Sequence, residues 1–276
     1  MSDKDCNHVC EGCGEENCAS RQGIQKLNVL PDTKIKRIIA VLSGKGGVGK
    51  SLVTSLLAKE LHEKGYKVGI LDADITGPSI PKAFGALRMA EADEKGIYPV
   101  LSEKGIPLIS VNSLLENHSD PIIWRGPLIA GLVSQLYSEV HYGELDFLLI
   151  DMPPGTGDIP LTVFQQIPVD GAFMVSTPQD LVSLIVEKSI KMTEAMNVPL
   201  LGMITNMAYA TCPDCGKKIR LYGEPSLALA KAHNIDSLDE IGIDPLLTMA
   251  IDAGSIEEYP TALLEKATAK AISLLK

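Results

Sequence analysis

Basic residues are in short supply: 25 Lys and Arg stand against 35 Asp and Glu, a formal charge of −10. That deficit argues against the broad phosphate-neutralising surface by which proteins hold DNA or RNA. It leaves room for a nucleotide site, which needs one or two local cations. Aromatic residues make up only 4% of the chain. The C-terminal TALLEKATAKAISLLK is amphipathic but has neither a bulky aromatic edge nor a strongly basic face, so it reads as a packing helix rather than a membrane-surface element. No uncharged run has the composition of a membrane span, because the longest, AMNVPLLGMITNMAYATC, carries two Asn, a Pro and a Gly. The first twenty residues contain no apolar signal-peptide core. The expectation is a cytoplasmic protein with no membrane and no nucleic-acid partner. Thiols stay reduced there, so six Cys suggest metal or redox chemistry more than disulfides.

No Cys stands between Cys18 and Cys212, so the thiols fall into two groups. Between them, short β-branched runs alternate with helical stretches. Strands are expected at 35–43, 66–74, 171–179 and 198–206, with another in LDFLLID and a short one near 238–243. Helices are expected after residue 50, over 127–138, from 180 to about Asn197, near 225–233 and over 260–276; IYPVL and IPLISV read as a hairpin around SEKG. This alternation implies an α/β fold, a mostly parallel sheet with helices on both faces in three α/β/α layers. No internal repeat is present. LNVLPDTK reads as a linker, dividing a Cys-rich segment and linker (1–33) from one domain (34–276).

SGKGGVGKS (43–51) matches the phosphate-loop pattern G-x-x-x-x-G-K-[ST] at Gly44, Gly49, Lys50 and Ser51. Glycines let consecutive backbone N–H groups converge on phosphate oxygens, and the following helix offers its N-terminus to the same anion. A strand before the loop and a helix after it supply the required context. Gly44, Lys45, Gly46, Gly47, Val48, Gly49, Lys50, Ser51 and Leu52 are thus the candidate nucleotide contacts, with Lys50 reaching the phosphates of ATP and Ser51 ligating Mg²⁺.

Carboxylates end two of the expected strands. LDADITGPSIP places Asp72 and Asp74 in the crevice outside the sheet's carboxyl ends. LLIDMPPGTGD (148–158) ends four apolar residues at Asp151, which fits a carboxylate on Mg²⁺ through water; its Pro and Gly residues form a turn able to sense a γ-phosphate. Asn206 closes VPLLGMITN, and its amide offers adenine both a donor and an acceptor.

CPDCG aims Cys212 and Cys215 the same way, half of a tetrahedral sulfur set. A second copy of the chain, related by a two-fold axis, completes it most simply; a half-formed zinc knuckle or a redox pair are the other readings. A shared, nucleotide-controlled site is labile, which suits an iron–sulfur cargo better than structural zinc, though zinc fits either thiol site. Cys6, Cys10, Cys13 and Cys18 crowd four ligands into thirteen residues. That is too close for a zinc ribbon and favours a four-iron cluster, with zinc the alternative.

The phosphate loop, DADITGPSIP, WRGP at 124–127, DMPPGTGD, STPQD, Asn206–Met207 and CPDCG stand in one order. That order resembles the Mrp-type (ApbC-like) iron–sulfur cluster carriers, a branch of the deviant P-loop ATPases that include MinD, ParA and the nitrogenase iron protein. The resemblance runs from about residue 35 to 270. It implies a homodimer bridging a [4Fe–4S] cluster on paired CxxC thiols and passing it to apo-proteins, with slow Mg-dependent ATP hydrolysis. It also implies that Lys45 reaches the partner's nucleotide, that Asp74 positions the attacking water and that Asp72 supports Mg²⁺. The N-terminal thiols depart from the family's eukaryotic cytosolic branch, whose first gap is much longer than the three residues between Cys6 and Cys10. An ATP-driven electron-transfer protein and a MinD/ParA-like positioning ATPase are the competing functions. The isolated CxxC loop, WRGP and STPQD favour the carrier.

Overall fold

The computed structural model describes residues 26–74, 79–114, 126–178, 184–222 and 228–276. Cys6, Cys10, Cys13 and Cys18 lie outside these residues, as do Trp124, Arg125 and the end of STPQD. The chain opens with β1 (Lys34–Ser43), α1 (Lys50–Glu63), β2 (Val68–Asp72) and α2 (Ser79–Ala83). Four short strands follow: β3 (Glu91–Asp93), β4 (Gly96–Tyr98), β5 (Val100–Leu101) and β6 (Pro107–Ser110). Then come α3 (Gly126–Ser138), β7 (Glu144–Asp151), α4 (Asp158–Gln166), β8 (Gly171–Ser176), α5 (Leu184–Ala195) and β9 (Leu200–Thr205). The last part holds β10 (Ala210–Thr211), β11 (Lys218–Ile219), α6 (Ala228–Ala232), β12 (Ser237–Glu240), α7 (Pro245–Asp252) and α8 (Glu265–Ser273).

Eight strands form the main sheet in the order β12-β9-β8-β1-β7-β2-β6-β5. All neighbours run parallel except β5 and β6, the expected hairpin, with Val100 opposite Leu108. Alternation along the central strands sends successive side chains into two separate cores. Ile39 and Val41 of β1 join Phe147 and Leu149 of β7 beneath α1 and α8, whereas Ile38, Ala40, Leu42, Leu148 and Ile150 pack under α3, α4 and α5. Strands buried on both faces need unbroken apolar runs, which is why IIAVL and FLLI carry no polar residue. Truncating one such side chain to Ala costs about 2–5 kcal/mol.

The segment expected as a linker is packed onto the domain from Lys26 onward. The Lys26 ammonium donates to the carbonyls of Phe164 (2.7 Å) and Ile167 (3.0 Å), and the Leu27 N–H donates to Gln166 O (2.8 Å). The last carbonyls of α4 lack partners within the helix, and this segment supplies the donors. Among the described residues, no helix is long and apolar enough to cross a membrane.

Candidate functional site

Register aligns the ends of three adjacent strands. Val41 of β1 lies opposite Asp151 of β7, and Asp151 lies opposite Asp72 of β2. The phosphate loop therefore springs from β1 directly above two carboxylates. Gly47 (φ 80°) and Gly49 (φ 86°) take left-handed conformations that let the loop curl, and Gly49 is the residue from which α1 begins. Gly44 is needed for a different reason: a Cβ there would lie 2.9 Å from the Val186 backbone nitrogen of α5. Val48 turns its side chain into the core, while Lys45, Gly46 and Gly47 are exposed. Gly46, Gly47, Gly49, Lys50, Ser51, Leu52 and Asp74 line a cavity of about 340 Å³, which Pro154 and Ile251 help to wall.

Lys50 is buried, and its ammonium lies 2.8 Å from Asp151 Oδ2 and 3.4 Å from Asp74 Oδ2. The Ser51 hydroxyl donates to the same Asp151 oxygen at 2.6 Å, and the Thr54 hydroxyl donates to Asp151 Oδ1 at 2.7 Å. Asp151 is thereby fully occupied. Asp72 is not: Oδ1 accepts from the Asp74 N–H at 3.1 Å, but Oδ2 is buried with no partner. Burial pushes the Asp72 carboxyl well above the usual carboxylate range, and the neighbouring Asp151 charge pushes it further, against the pull of Lys50. A hydroxyl and two strand-end carboxylates, one of them with an orphaned oxygen, beside a phosphate-binding loop form the hard oxygen set a small divalent cation takes. Among the described residues no three His, Cys, Asp or Glu side chains are arranged to hold a metal unaided. Phosphate and water therefore have to complete any such shell.

The turn after Asp151 lies against the phosphate loop. The Gly155 N–H donates to Ser43 O at 2.9 Å, and the Met152 N–H donates to Val41 O at 3.1 Å. A Cβ on Gly46 would lie 3.8 Å from Pro154 Cγ, and both residues line the cavity. A γ-phosphate in the cavity would thus meet this turn directly.

Asn206 is buried at the end of β9, and its amide nitrogen donates to Val48 O at 2.9 Å. Six residues later Cys212 opens a tight turn closed by Cys212 N–H to Lys217 O and Gly216 N–H to Cys212 O, both 2.9 Å, with Gly216 at φ 70°. β10 and β11 carry this turn, pairing Thr211 with Lys218. Cys212 is partly exposed, Cys215 is exposed, and both are free thiols. The Cys215 and Asp214 backbone N–H groups bond the Cys212 sulfur, the Cys215 thiol adds to them, and together they draw the Cys212 thiol below its ordinary pKa. Donors aimed at sulfur favour thiolate, the form that binds metal.

Residues 34–275 match the family described as ParA: NUBPL iron-transfer P-loop NTPase. The chain belongs to this family. It is 48% identical over 234 residues to the iron-sulfur cluster carrier protein of Clostridium perfringens, covering 82% of each chain. Its fold is similar to that of a nucleotide-binding protein from Archaeoglobus fulgidus in complex with ADP, with Co found by PIXE. The TM-score is 0.74 and the identity 46%, over 83% of this chain and 90% of that one. MinD from Pyrococcus horikoshii, complexed with Mg-ADP, shares the fold at a TM-score of 0.56 and 22% identity, over 87% of this chain and 96% of that one.

For this P-loop NTPase, the structure brings Lys50, Ser51, Asp72, Asp74 and Asp151 into one cluster, with the Cys212 and Cys215 turn apart from it. Sequence reasoning missed Thr54 and Ile251. Thr54 had a signal: it stands one turn after Lys50 on α1, a polar residue on a buried face. Ile251 had none, because only tertiary packing takes it to the cavity.

Proposed function

We propose that this chain is an ATP-dependent iron–sulfur cluster carrier. Two copies hold a [4Fe–4S] cluster between their Cys212 and Cys215 thiols and deliver it to apo-proteins, in the cytoplasm. The observation that carries this reading is the surface turn that carries both free thiols on one hairpin, on a domain otherwise organised around a phosphate loop. The names of the relatives support it.

In this reading the phosphates of ATP displace Asp151 and Asp74 as partners of Lys50. Ser51, Asp151 and Asp72 would hold Mg²⁺, directly or through water, and the ion would neutralise phosphate charge. Asp74 orients the attacking water. Lys45, exposed at the loop tip, enters the partner's site and stabilises charge there. Asn206 meets the adenine edge, and the turn at 152–157 changes state with the γ-phosphate. The N-terminal Cys6, Cys10, Cys13 and Cys18 form a second cluster or zinc site.

The test is anaerobic reconstitution of the full chain with the four N-terminal Cys changed to Ser. About four irons and four sulfides should bind per two chains, be lost in Cys212→Ser/Cys215→Ser, and move to an apo-acceptor without net electron delivery. Iron retained by the double variant would sink the proposal.

A further inference from the structure

Asn206 and Cys212 are six residues apart, yet one touches the phosphate loop and the other is a proposed cluster ligand. The intervening chain is held on both sides of Met207. Asn206 N–H donates to Ser176 O at 2.8 Å while its side chain holds Val48 O. Its amide nitrogen lies where a Cβ on Gly49 would stand, so Asn206 braces the residue from which Lys50 and Ser51 depart. Ala208 is buried, and its N–H donates to Ile241 O at 2.9 Å. Tyr209 O accepts from Ile243 N–H at 2.7 Å. The Tyr209 ring is pressed so closely on Gly242 that a Cβ there would come within 2.6 Å of it, and Lys218 of β11 lies 3.9 Å over the same ring. Ala210 then pairs with Ile219, and Thr211 with Lys218.

One residue in this stretch differs. Met207 is 36% exposed and has φ 54°, a left-handed conformation rarely taken by a long side chain. It is the joint between a residue fastened to the phosphate loop and a segment fastened to the thiol hairpin.

We infer that residues 206–209 are a coupling arm, in which Asn206 follows the phosphate loop, Met207 is the hinge, and Tyr209 turns the Cys212–Cys215 hairpin. The inference rests on the nucleotide-and-cluster reading above and adds how one site addresses the other. A shift of the loop on filling its cavity moves Asn206. Ala208 and Tyr209 are anchored to the segment after β12, and Ile241 of that segment donates its N–H to Thr205 O at 2.8 Å, so Met207 is the residue left between these fastened points and the hairpin turns together with that segment. Met207 and Tyr209 are positioning residues; neither touches nucleotide or cluster.

The experiment uses the full chain, stripped of metal, and follows alkylation of Cys212 and Cys215 by iodoacetamide, peptide by peptide, with and without Mg-ATP. In the wild type, Mg-ATP should change the rate by about fivefold or more, the lower end of ordinary coupling between sites. Met207→Gly removes the conformational restraint at the hinge. It should bind ATP with unchanged affinity while the response of the thiols falls below about twofold. Tyr209→Leu, which leaves the hinge intact, should give the same uncoupling and serves if Met207→Gly folds poorly. A full thiol response in both variants overturns the coupling arm, as does a wild type that binds ATP with no response. A wild type that binds no ATP overturns the proposed function as well, which separates the two failures.

Discussion

Asp72 and Asp151 face each other across β2 and β7, both wholly buried, and the Lys50 ammonium sits 2.8 Å from Asp151 while Asp72 Oδ2 has no partner. Burial and the Asp151 charge favour the protonated form of Asp72, and a divalent cation beside the pair would favour the ionised one. Asp72→Asn removes the unmatched acid and keeps the shape. In the absence of Mg²⁺ its stability should match or exceed wild type to within about 1 kcal/mol, because the oxygen it replaces is buried with no partner. With ATP present, the Mg²⁺ concentration needed for half of the thermal stabilisation should rise about tenfold or more. Thermal unfolding across a Mg²⁺ titration reads both, and an unchanged Mg²⁺ requirement removes Asp72 from the site.

The two loop lysines should separate in one comparison. Lys50→Ala leaves the buried Asp151 and the half-buried Asp74 without their ammonium and should destabilise the free protein by about 3 kcal/mol, the usual cost of breaking a buried pair. Lys45 is exposed, so Lys45→Ala should leave stability within about 0.5 kcal/mol. Both should abolish most phosphate release, Lys45→Ala by about 10³-fold if it acts on the partner's nucleotide. Urea unfolding and a phosphate assay on the same samples decide. Full turnover by Lys45→Ala would place its action elsewhere.

The central sheet and the phosphate loop were legible because they depend on local pattern. An apolar run ending in SGKGGVGKS can be little else than a buried strand feeding a phosphate loop, and LLID and GILD place their carboxylates by strand period alone. Legibility ended where distant parts meet. Nothing near Lys26 announces that its ammonium closes α4, because its acceptors lie at Phe164 and Ile167. The hairpin under Cys212 has strands of two residues each, too short to show alternation. A place at a strand end suggests a base contact for Asn206, and only the tertiary fold shows its amide also holding Val48 O. The small sheet of β3 and β4 also went unseen, since EAD is exposed and carries no apolar signal.

Gly44 offers a test of how tightly α5 closes over the loop. A Cβ there would lie 2.9 Å from Val186 N and 3.0 Å from Val186 Cα, backbone atoms that cannot swing aside as a side chain would. Gly44→Ala should therefore cost about 1–3 kcal/mol from overpacking. It should also weaken ATP binding, because the loop and α5 must separate. By contrast Gly157→Ala meets nothing within 4 Å and should be nearly neutral in stability. Denaturant midpoints and an ATP titration of both variants check this; equal effects would mean that close approach is not what Gly44 serves.

Asp146 predicts a defined acid dependence. Its Oδ1 accepts from the Lys36 ammonium at 2.7 Å, and its Oδ2 accepts from the Lys67 backbone N–H at 2.8 Å, tying β1 and the start of β2 to β7. The Lys36 hydrogen bond first, then that from Lys67, hold the carboxyl below its usual 3.8. The folded state thus binds its proton less readily than the unfolded chain does. The resulting stabilisation is complete above the unfolded value and is lost as the pH falls through the lower, folded one. Asp146→Asn cannot accept a hydrogen bond at the nitrogen that replaces one oxygen. At pH 7 its thermal midpoint should be lower than wild type by about 2–4 °C, and the two proteins should converge as the pH drops below 3.8. A gap that stays constant down to the acid limit would show that Asp146 acts through shape and not through its charge.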